Sequence, residues 1–307
     1  MRLVFFGSSE FAVPTLQALA PFIVLVVTQP DKPKGRGRSL RATPVKMKAL
    51  EFGLPVEAPV KARDLDFIYK IVSLRPDALL VAAYGQILPE ALLESALRGG
   101  INLHGSLLPK YRGAAPIAHA ILNGEKETGV TLMQMDKGMD SGDIIAMVRT
   151  EIREDETCGE LEKRLARLAA ELSVEWMPRI VRGEYPRTPQ DHSQATFAPK
   201  VGREDARLSP KMGVEEAYRR FRAFTPKPGA WLQTRWGVLF IRQARLSAEL
   251  CSPPGTLGFT GGGVCLGFQG GGLELLQVQE EGRRVVSGWD WVNGRHLKGG
   301  DVIVENI

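Results

Sequence analysis

Asn102 and His104 stand two residues apart, where the apolar segment 101–103 gives way to Gly105-Ser106-Leu107-Leu108-Pro109. In an extended segment residues i and i+2 point to the same side, so an amide and an imidazole can face one reacting atom together. An amide donor beside a titratable ring is the minimum equipment for stabilising a tetrahedral oxyanion and moving a proton. Asp140, in the Gly-bearing loop 136–142, is a third candidate. Its carboxylate would orient His104 or hold a water for proton transfer. The plain alternatives are an Asx-turn role for Asp140 and a half-buried slot for His104. Asp136 and Asp143 compete with Asp140, although Asp143 opens a strand-like run and reads as a cap. His119, in an apolar helical stretch, reads as structural; His192 falls in a linker, and His296 lies beside basic residues.

Such residues need elements to hold them. Residues 2–6, 22–27, 78–83 and 101–103 are near-continuous apolar runs. Helical patterns separate them, around residues 11–19, 45–51 and 64–73, with Pro14 tolerable only in a first turn. Buried strands alternating with helices imply a parallel sheet covered on both faces. Ligands of such sheets bind outside the carboxyl ends of the strands, the edge where Asn102 and His104 would sit. Residues 128–135 and 143–148 read as a pair of strands joined by the loop that carries Asp140. Thr157 and Glu160 have capping-box spacing. They precede a long amphipathic helix with Leu161, Leu165, Leu168, Leu172 and Ile180 on one face, ending near Gly183.

Composition then shifts. Residues 184–210 are rich in Pro, Gln, Ser, Thr and Asp and read as a linker. A helix over 214–224 and short strands at 231–234, 238–242, 263–268 and 273–278 follow, separated by Gly-rich turns. The expected fold is therefore α/β. A Rossmann-like, doubly wound, mostly parallel sheet fills residues 1–183, and a small OB-like β-barrel fills residues 211–307. Gly261-Gly262-Gly263 and Gly270-Gly271-Gly272 lead into no helix and are turns rather than phosphate loops. Gly7-Ser8-Ser9-Glu10-Phe11 lacks the G-x-G-x-x-G pattern, which disfavours a nicotinamide dehydrogenase.

The chain has 307 residues, 44% of them hydrophobic and 24% charged, and fits two soluble domains. Its opening is too short for a signal peptide, and no apolar run approaches the ~20 residues of a membrane span. Cys158, Cys251 and Cys265 are scattered and form no C-x-x-C pair, which argues against a disulfide framework or a zinc site and for a reducing cytoplasm. The net charge of +5 favours an anionic partner only weakly. Its distribution says more. Lys32, Lys34, Arg36, Arg38 and Arg41 crowd a Gly/Pro-broken loop, and Arg219-Arg220-Phe221-Arg222 is followed by Lys227. The bland reading of such a run is a solvated surface loop; the functional one is phosphate contact through Arg forks.

Asn102-Leu103-His104-Gly105-Ser106-Leu107-Leu108-Pro109-Lys110-Tyr111-Arg112-Gly113-Ala114-Ala115-Pro116 resembles the signature of the folate-dependent formyltransferases, and residues 129–136 with 140–143 resemble its second half. Residues 6–12, 28–33 with their Gly-Arg-Gly-Arg sequel, and 221–228 narrow the resemblance to the branch acting on methionyl-tRNA, over nearly the whole chain. Ser8-Ser9 departs from a more usual Thr-Pro, and the Gly-rich last strands diverge. The resemblance implies that Asn102, His104 and Asp140 are the catalytic trio. It implies that 10-formyltetrahydrofolate, the formyl donor, lies along Ser106, Leu107, Leu108 and Pro109, with Tyr84, Gly85, Gln86, Ile87 and Leu88 lining the pterin side. A pterin is flat with a donor–acceptor edge and wants apolar walls with a few polar groups. The resemblance further implies that Lys32, Lys34, Arg36, Arg38 and Arg41 contact the acceptor stem of initiator methionyl-tRNA, while Arg222 and Lys227 contact its backbone. A cytoplasmic, metal-free, monomeric transferase of translation initiation is expected. A formyltransferase acting on a small amine would share the trio without needing the basic loop or the second domain. A formyl-folate hydrolase and a non-catalytic RNA-binding module are the other readings.

Overall fold

The computed structural model describes residues 1–34, 39–247, 252–260 and 263–304. The strands are β1 (Leu3–Gly7), β2 (Ile23–Val27), β3 (Lys32–Lys34), β4 (Ser39–Arg41), β5 (Val56–Glu57), β6 (Ala78–Ala82), β7 (Gly100–His104), β8 (Glu127–Gln134), β9 (Ile144–Glu151), β10 (Trp231–Thr234), β11 (Gly237–Leu246), β12 (Leu257–Thr260), β13 (Gly263–Phe268), β14 (Gly271–Glu280) and β15 (Val286–Ser287). The helices are α1 (Val13–Leu19), α2 (Pro44–Glu51), α3 (Leu65–Ser73), α4 (Glu90–Leu93), α5 (Pro116–Leu122), α6 (Cys158–Arg182), α7 (Val214–Ala223) and α8 (Gly288–Gly294). The chain forms two compact units, one of residues 1–116, 127–151 and 162–199, the other of residues 117–126, 152–161 and 200–307.

The first unit is built on a seven-stranded sheet in the order β5-β2-β1-β6-β7-β8-β9. The strands from β5 to β7 run parallel, while β8 and β9 are antiparallel to their neighbours. The apolar runs explain the parallel part. Every residue of β1, β6 and β7 is buried, as a sheet covered on both faces requires. Alternation then sorts the side chains. Val4 and Phe6, Leu25 and Val27, and Leu79 and Val81 share one face and pack against Phe67, Ile68 and Ile71 of α3. Each fully buried side chain of this size stabilises the fold by about 1.5–3 kcal/mol. Helix starts are capped as their residues require. Thr43 accepts from Lys46 N at 3.0 Å ahead of α2, and Asp64 accepts from Asp66 N at 3.1 Å ahead of α3. Ahead of α6, Glu160 accepts from both Thr157 N (2.9 Å) and Thr157 Oγ1 (2.6 Å), the contact that the spacing of the two residues foretold.

Part of the basic loop is a short hairpin, β3 paired antiparallel with β4, Lys32 facing Arg41 in register. The segment 184–199, read from composition as linker, packs within the first unit, with Thr188 and Ile144 exchanging backbone hydrogen bonds of 2.9 and 2.8 Å.

The second unit is an antiparallel sheet in the order β10-β11-β14-β13-β12, with β15 on β14. One face carries a core that includes Tyr218 and Phe221 of α7, Leu232, Ile241, Leu266, Phe268 and Trp291 of α8. The β11–β14 register shifts around Gln243, which bends the sheet. Among the described residues the outer strands β10 and β12 do not pair with each other, so the expected OB-like barrel is a curled, half-open one. Cys265 on β13 is disulfide-bonded. No helix among the described residues is long and apolar enough to cross a membrane.

Candidate active site

Strand β7 presents the amide and the imidazole. It lies between β6 and β8, and Asn102 and His104 are 9% and 5% exposed. The register pairs Ile101 with Gln134. The loop after β8 therefore leaves beside the start of β7, not beside its carboxyl end, and curls back to bring Asp140 over the pair. Asp140 Oδ2 stands 3.6 Å from His104 Nδ1, and Oδ1 accepts a long 3.4 Å hydrogen bond from Asn102 Nδ2. Gly113 N donates to Asp140 Oδ2 at 2.9 Å. The carboxylate so faces three groups from β7 and the 109–115 loop.

The imidazole tautomer follows from its partners. His104 Nε2 lies 2.8 Å from the Tyr111 carbonyl oxygen, which can only accept, so Nε2 carries a hydrogen. In the neutral ring Nδ1 is then bare, and it faces the Asp140 carboxylate. Two acceptors opposed across 3.6 Å leave a place for one proton, either on the ring or on a substrate N–H between them. Asp136 and Asp143, the competing carboxylates, are engaged elsewhere. Asp136 accepts from Gly138 N (2.9 Å) and Ser141 Oγ (3.0 Å), and Asp143 accepts from Arg187 Nε (3.0 Å).

The loop after β7 is held by groups that composition did not single out. Thr131, opposite His104 on β8, donates to Ser106 O (2.7 Å) and accepts from Leu108 N (3.1 Å). Ser106 is fully buried and its hydroxyl donates to Lys110 O at 2.7 Å. Leu108 is buried as well. Of the four residues expected to line the donor, Leu107 and Pro109 are partly exposed, while the buried Ser106 and Leu108 side chains shape the loop. Gly129 matters here. A Cβ on it would lie 2.0 Å from Val148 O and 2.6 Å from Leu107 Cδ2, so only a glycine lets Leu107 lie across β8.

The 84–88 loop is likewise held by its own side chains. The Tyr84 ring sits in the core, edge-on to Phe6 at 5.3 Å, with its hydroxyl buried and without a partner among the described residues, and burial pushes its pKa up to about 12. Gln86 is spent on the neighbouring chain, accepting from Ala62 N (2.8 Å) and donating to Pro59 O (3.2 Å). Leu88 is core. Ile87 is offered to solvent, at 89% exposure, and Gly85 is exposed beside it. Close to Gly85 lies the Gln29 side-chain amide, a buried donor without a partner that sequence reasoning passed over.

Among the basic residues, Lys32, Arg41 and Lys227 are exposed. Arg36 and Arg38 lie outside the described residues, and Lys34 is described only as a backbone position in β3. The Arg222 guanidinium is buried, lies 5.3 Å from the Tyr218 ring centroid and donates to Arg153 O (3.3 Å) and Glu156 O (3.4 Å), so it braces its own unit. Burial also lowers its pKa. Among the described residues no cluster of His, Cys, Asp and Glu could hold a metal ion.

Comparison with known proteins agrees with this geometry. Residues 1–179 match the family model described as formyl transferase, and residues 200–296 match that of the formyl transferase C-terminal domain. The chain is 44% identical to the methionyl-tRNA formyltransferase of Sorangium cellulosum (strain So ce56), covering 99% of both chains. It is 42% identical to that of Myxococcus xanthus (strain DK1622), covering 97% of this chain and 96% of the relative. Solved structures share the fold at low identity. HypX from Aquifex aeolicus in complex with tetrahydrofolic acid aligns over 100% of this chain and 51% of its own (TM-score 0.68, 16% identity). The N-formyltransferase from Helicobacter canadensis, in complex with folinic acid and dTDP-3-aminofucose, aligns over 90% of this chain and 98% of its own (TM-score 0.67, 18% identity). With both halves matched and near-full-length relatives above two-fifths identity, the chain belongs to the methionyl-tRNA formyltransferase family.

Proposed function

We infer that the chain transfers the formyl group of 10-formyltetrahydrofolate to the α-amino group of initiator methionyl-tRNA, giving N-formylmethionyl-tRNA for translation initiation. The observation that carries the reading is the convergence of Asn102 and His104 on Asp140, in a chain of this family. The formyl donor is a substrate that supplies an acyl carbon activated by the nitrogen bearing it. The half-exposed Leu107 and Pro109, the exposed Ile87 and the unpartnered Gln29 amide beside Gly85 fit a flat heterocycle with apolar faces and a polar edge.

The chain's residues do the remaining work. Asn102 Nδ2–H donates to the carbonyl oxygen as it becomes an oxyanion, a contact typically worth about 2.7–4 kcal/mol in acyl transfer. His104, its Nε2–H fixed on Tyr111 O, turns Nδ1 to the site and when protonated gives the oxyanion a second donor. Asp140 takes the proton released as the neutral amine bonds to the formyl carbon. It returns that proton, through a water, to the nitrogen that leaves. Ser106 is no nucleophile, since its hydroxyl is spent on Lys110 O. Lys32, Arg41 and Lys227, with Lys34, Arg36 and Arg38 of the same basic loop, would meet the phosphates of the acceptor. An enzyme of initiation works where its tRNA is, in the cytoplasm, and we read it as a monomer, which sedimentation at working concentration tests.

The deciding experiment incubates the protein with 10-formyltetrahydrofolate and either methionyl-tRNA or free methionine. N-formyl product from the tRNA alone is expected. Equal formylation of free methionine would remove the tRNA from the reading.

A further inference from the structure

We propose that Gln190 is a positioning residue that sets the Asp140 carboxylate for catalysis. The proposal rests on the catalytic reading of Asp140. Asp140 is a non-glycine residue in the left-handed region, at φ +49°. Something must hold that backbone. Gln190 is 5% exposed, and its side-chain amide donates from Nε2 to two carbonyls of the loop, Asp140 O at 2.9 Å and Gly142 O at 2.7 Å. Its Oε1 accepts from Arg112 at Nε (3.1 Å) and Nη2 (2.6 Å).

This orientation has no alternative. A flipped amide would set NH₂ against a guanidinium and C=O against two carbonyls. Arg112 is itself fixed, 6% exposed, its backbone N donating to Thr196 O (2.8 Å) and its carbonyl accepting from Ala198 N (2.7 Å). The next residue, Gly113, donates to Asp140 Oδ2 at 2.9 Å. Gln190 therefore ties the 135–143 loop by its backbone to the same 109–115 loop that grips the Asp140 carboxylate. The two holds on one residue fix the direction in which its carboxylate points, toward His104 Nδ1 and Asn102 Nδ2. Gly142 adds to the constraint, because a Cβ there would lie 2.0 Å from Gln134 O.

The alternative role for Gln190 is structural: to give the buried Arg112 a partner. Substitution separates the two. Gln190→Glu keeps, and strengthens, the acceptor toward Arg112 but turns the two donors into acceptors facing Asp140 O and Gly142 O. Gln190→Leu removes both sets. With 10-formyltetrahydrofolate and methionyl-tRNA saturating, both variants should lose about 10- to 100-fold in kcat, with KM for each substrate within about two-fold. The thermal midpoint of Gln190→Glu should fall, because a carboxylate oxygen then faces two carbonyls, but by less than that of Gln190→Leu, which also leaves Arg112 without this acceptor. A kcat for Gln190→Glu within two-fold of wild type overturns the proposal. Should Gln190→Glu fold poorly, the same reading is taken from Gln190→Met, well below its own midpoint. A cycle with Asp140→Asn distinguishes the failures. In that background Gln190→Leu should change kcat by less than two-fold, because its effect passes through Asp140. If Asp140→Asn alone is active, the catalytic reading fails. If it is inactive yet Gln190→Leu lowers its kcat as much as in wild type, the positioning role fails.

Discussion

Asp140→Asn isolates the carboxylate's chemistry from its shape. The side chains are nearly isosteric, and Asn tolerates the left-handed region at least as well as Asp, so the φ of +49° adds no penalty. What changes is the set of acceptors. In the wild type both carboxylate oxygens face donors, Gly113 N at 2.9 Å and Asn102 Nδ2 at 3.4 Å. An amide has one oxygen, so one of those donors must meet an NH₂. The shorter bond to Gly113 should be kept and the longer one to Asn102 given up, at a cost of about 1–3 kcal/mol in the resting site. The larger loss is the proton relay, because an amide cannot take the proton that the attacking amine sheds. Positioned acid–base groups typically contribute about 10²–10⁴-fold, or roughly 2.7–5.4 kcal/mol at about 1.36 kcal/mol per tenfold. We expect kcat with both substrates saturating to fall at least ~100-fold, with KM values within about three-fold. The assay follows N-formylmethionyl-tRNA over time, with the thermal midpoint measured alongside. A kcat within about five-fold of wild type would refute the relay. A large rise in KM for methionyl-tRNA at unchanged kcat would make Asp140 a binding group instead.

Tyr84→Phe should stabilise the protein by about 1 kcal/mol, since it removes a buried hydroxyl that has no partner, and should leave formylation within about two-fold; a loss of stability in urea titration would show that the hydroxyl is satisfied after all. The Tyr84 pKa is raised from 10.0 to about 12, so wild-type stability falls as pH rises through that window while the unfolded chain ionises, and the Phe variant should fall less. Glu280 accepts from Arg295 Nε (2.8 Å) and Nη2 (2.7 Å) and from Trp291 Nε1 (3.0 Å), and these contacts hold its pKa below 4.5. Its contribution is thus present above pH 4.5 and lost below it, so Glu280→Gln should flatten the acid loss of stability in denaturation followed by tryptophan fluorescence; an unchanged acid limb would rule Glu280 out as its source. Lys32→Gln with Arg41→Gln should cut the salt slope of tRNA binding by roughly 1.5–2, and an unchanged slope would exclude phosphate contact by these exposed residues.

What the sequence could and could not disclose divides along a physical line. An unbroken apolar run reports a strand buried on both faces, and the two-residue repeat of a strand reports which side chains share a face. These sufficed for the strands that carry Phe5, Leu80 and Ile101, and for the shared side of Asn102 and His104 on β7. They do not report who satisfies a buried polar group, because that partner is usually distant in sequence. Gln190 bonds to backbone carbonyls about fifty residues away, in a stretch whose Pro, Gln and Ser content reads as a linker, and no side-chain pattern signals a bond to a carbonyl. Arg222 misleads for the same reason. In a run of arginines it reads as a free cation, yet Tyr218 and Phe221 of the same helix face the core, and the receiving carbonyls come from residues 153 and 156. The Ser106 hydroxyl, in the loop along which the donor was expected to lie, is consumed by a carbonyl four residues on. A motif therefore locates reactive atoms better than it assigns them. That Asn102, His104 and Asp140 belong together was suggested by residue type and by family resemblance, and the structure does bring the three side chains together. Thr131 and Gln190, which hold the two loops around those atoms, bond to backbone groups that carry no mark of residue type.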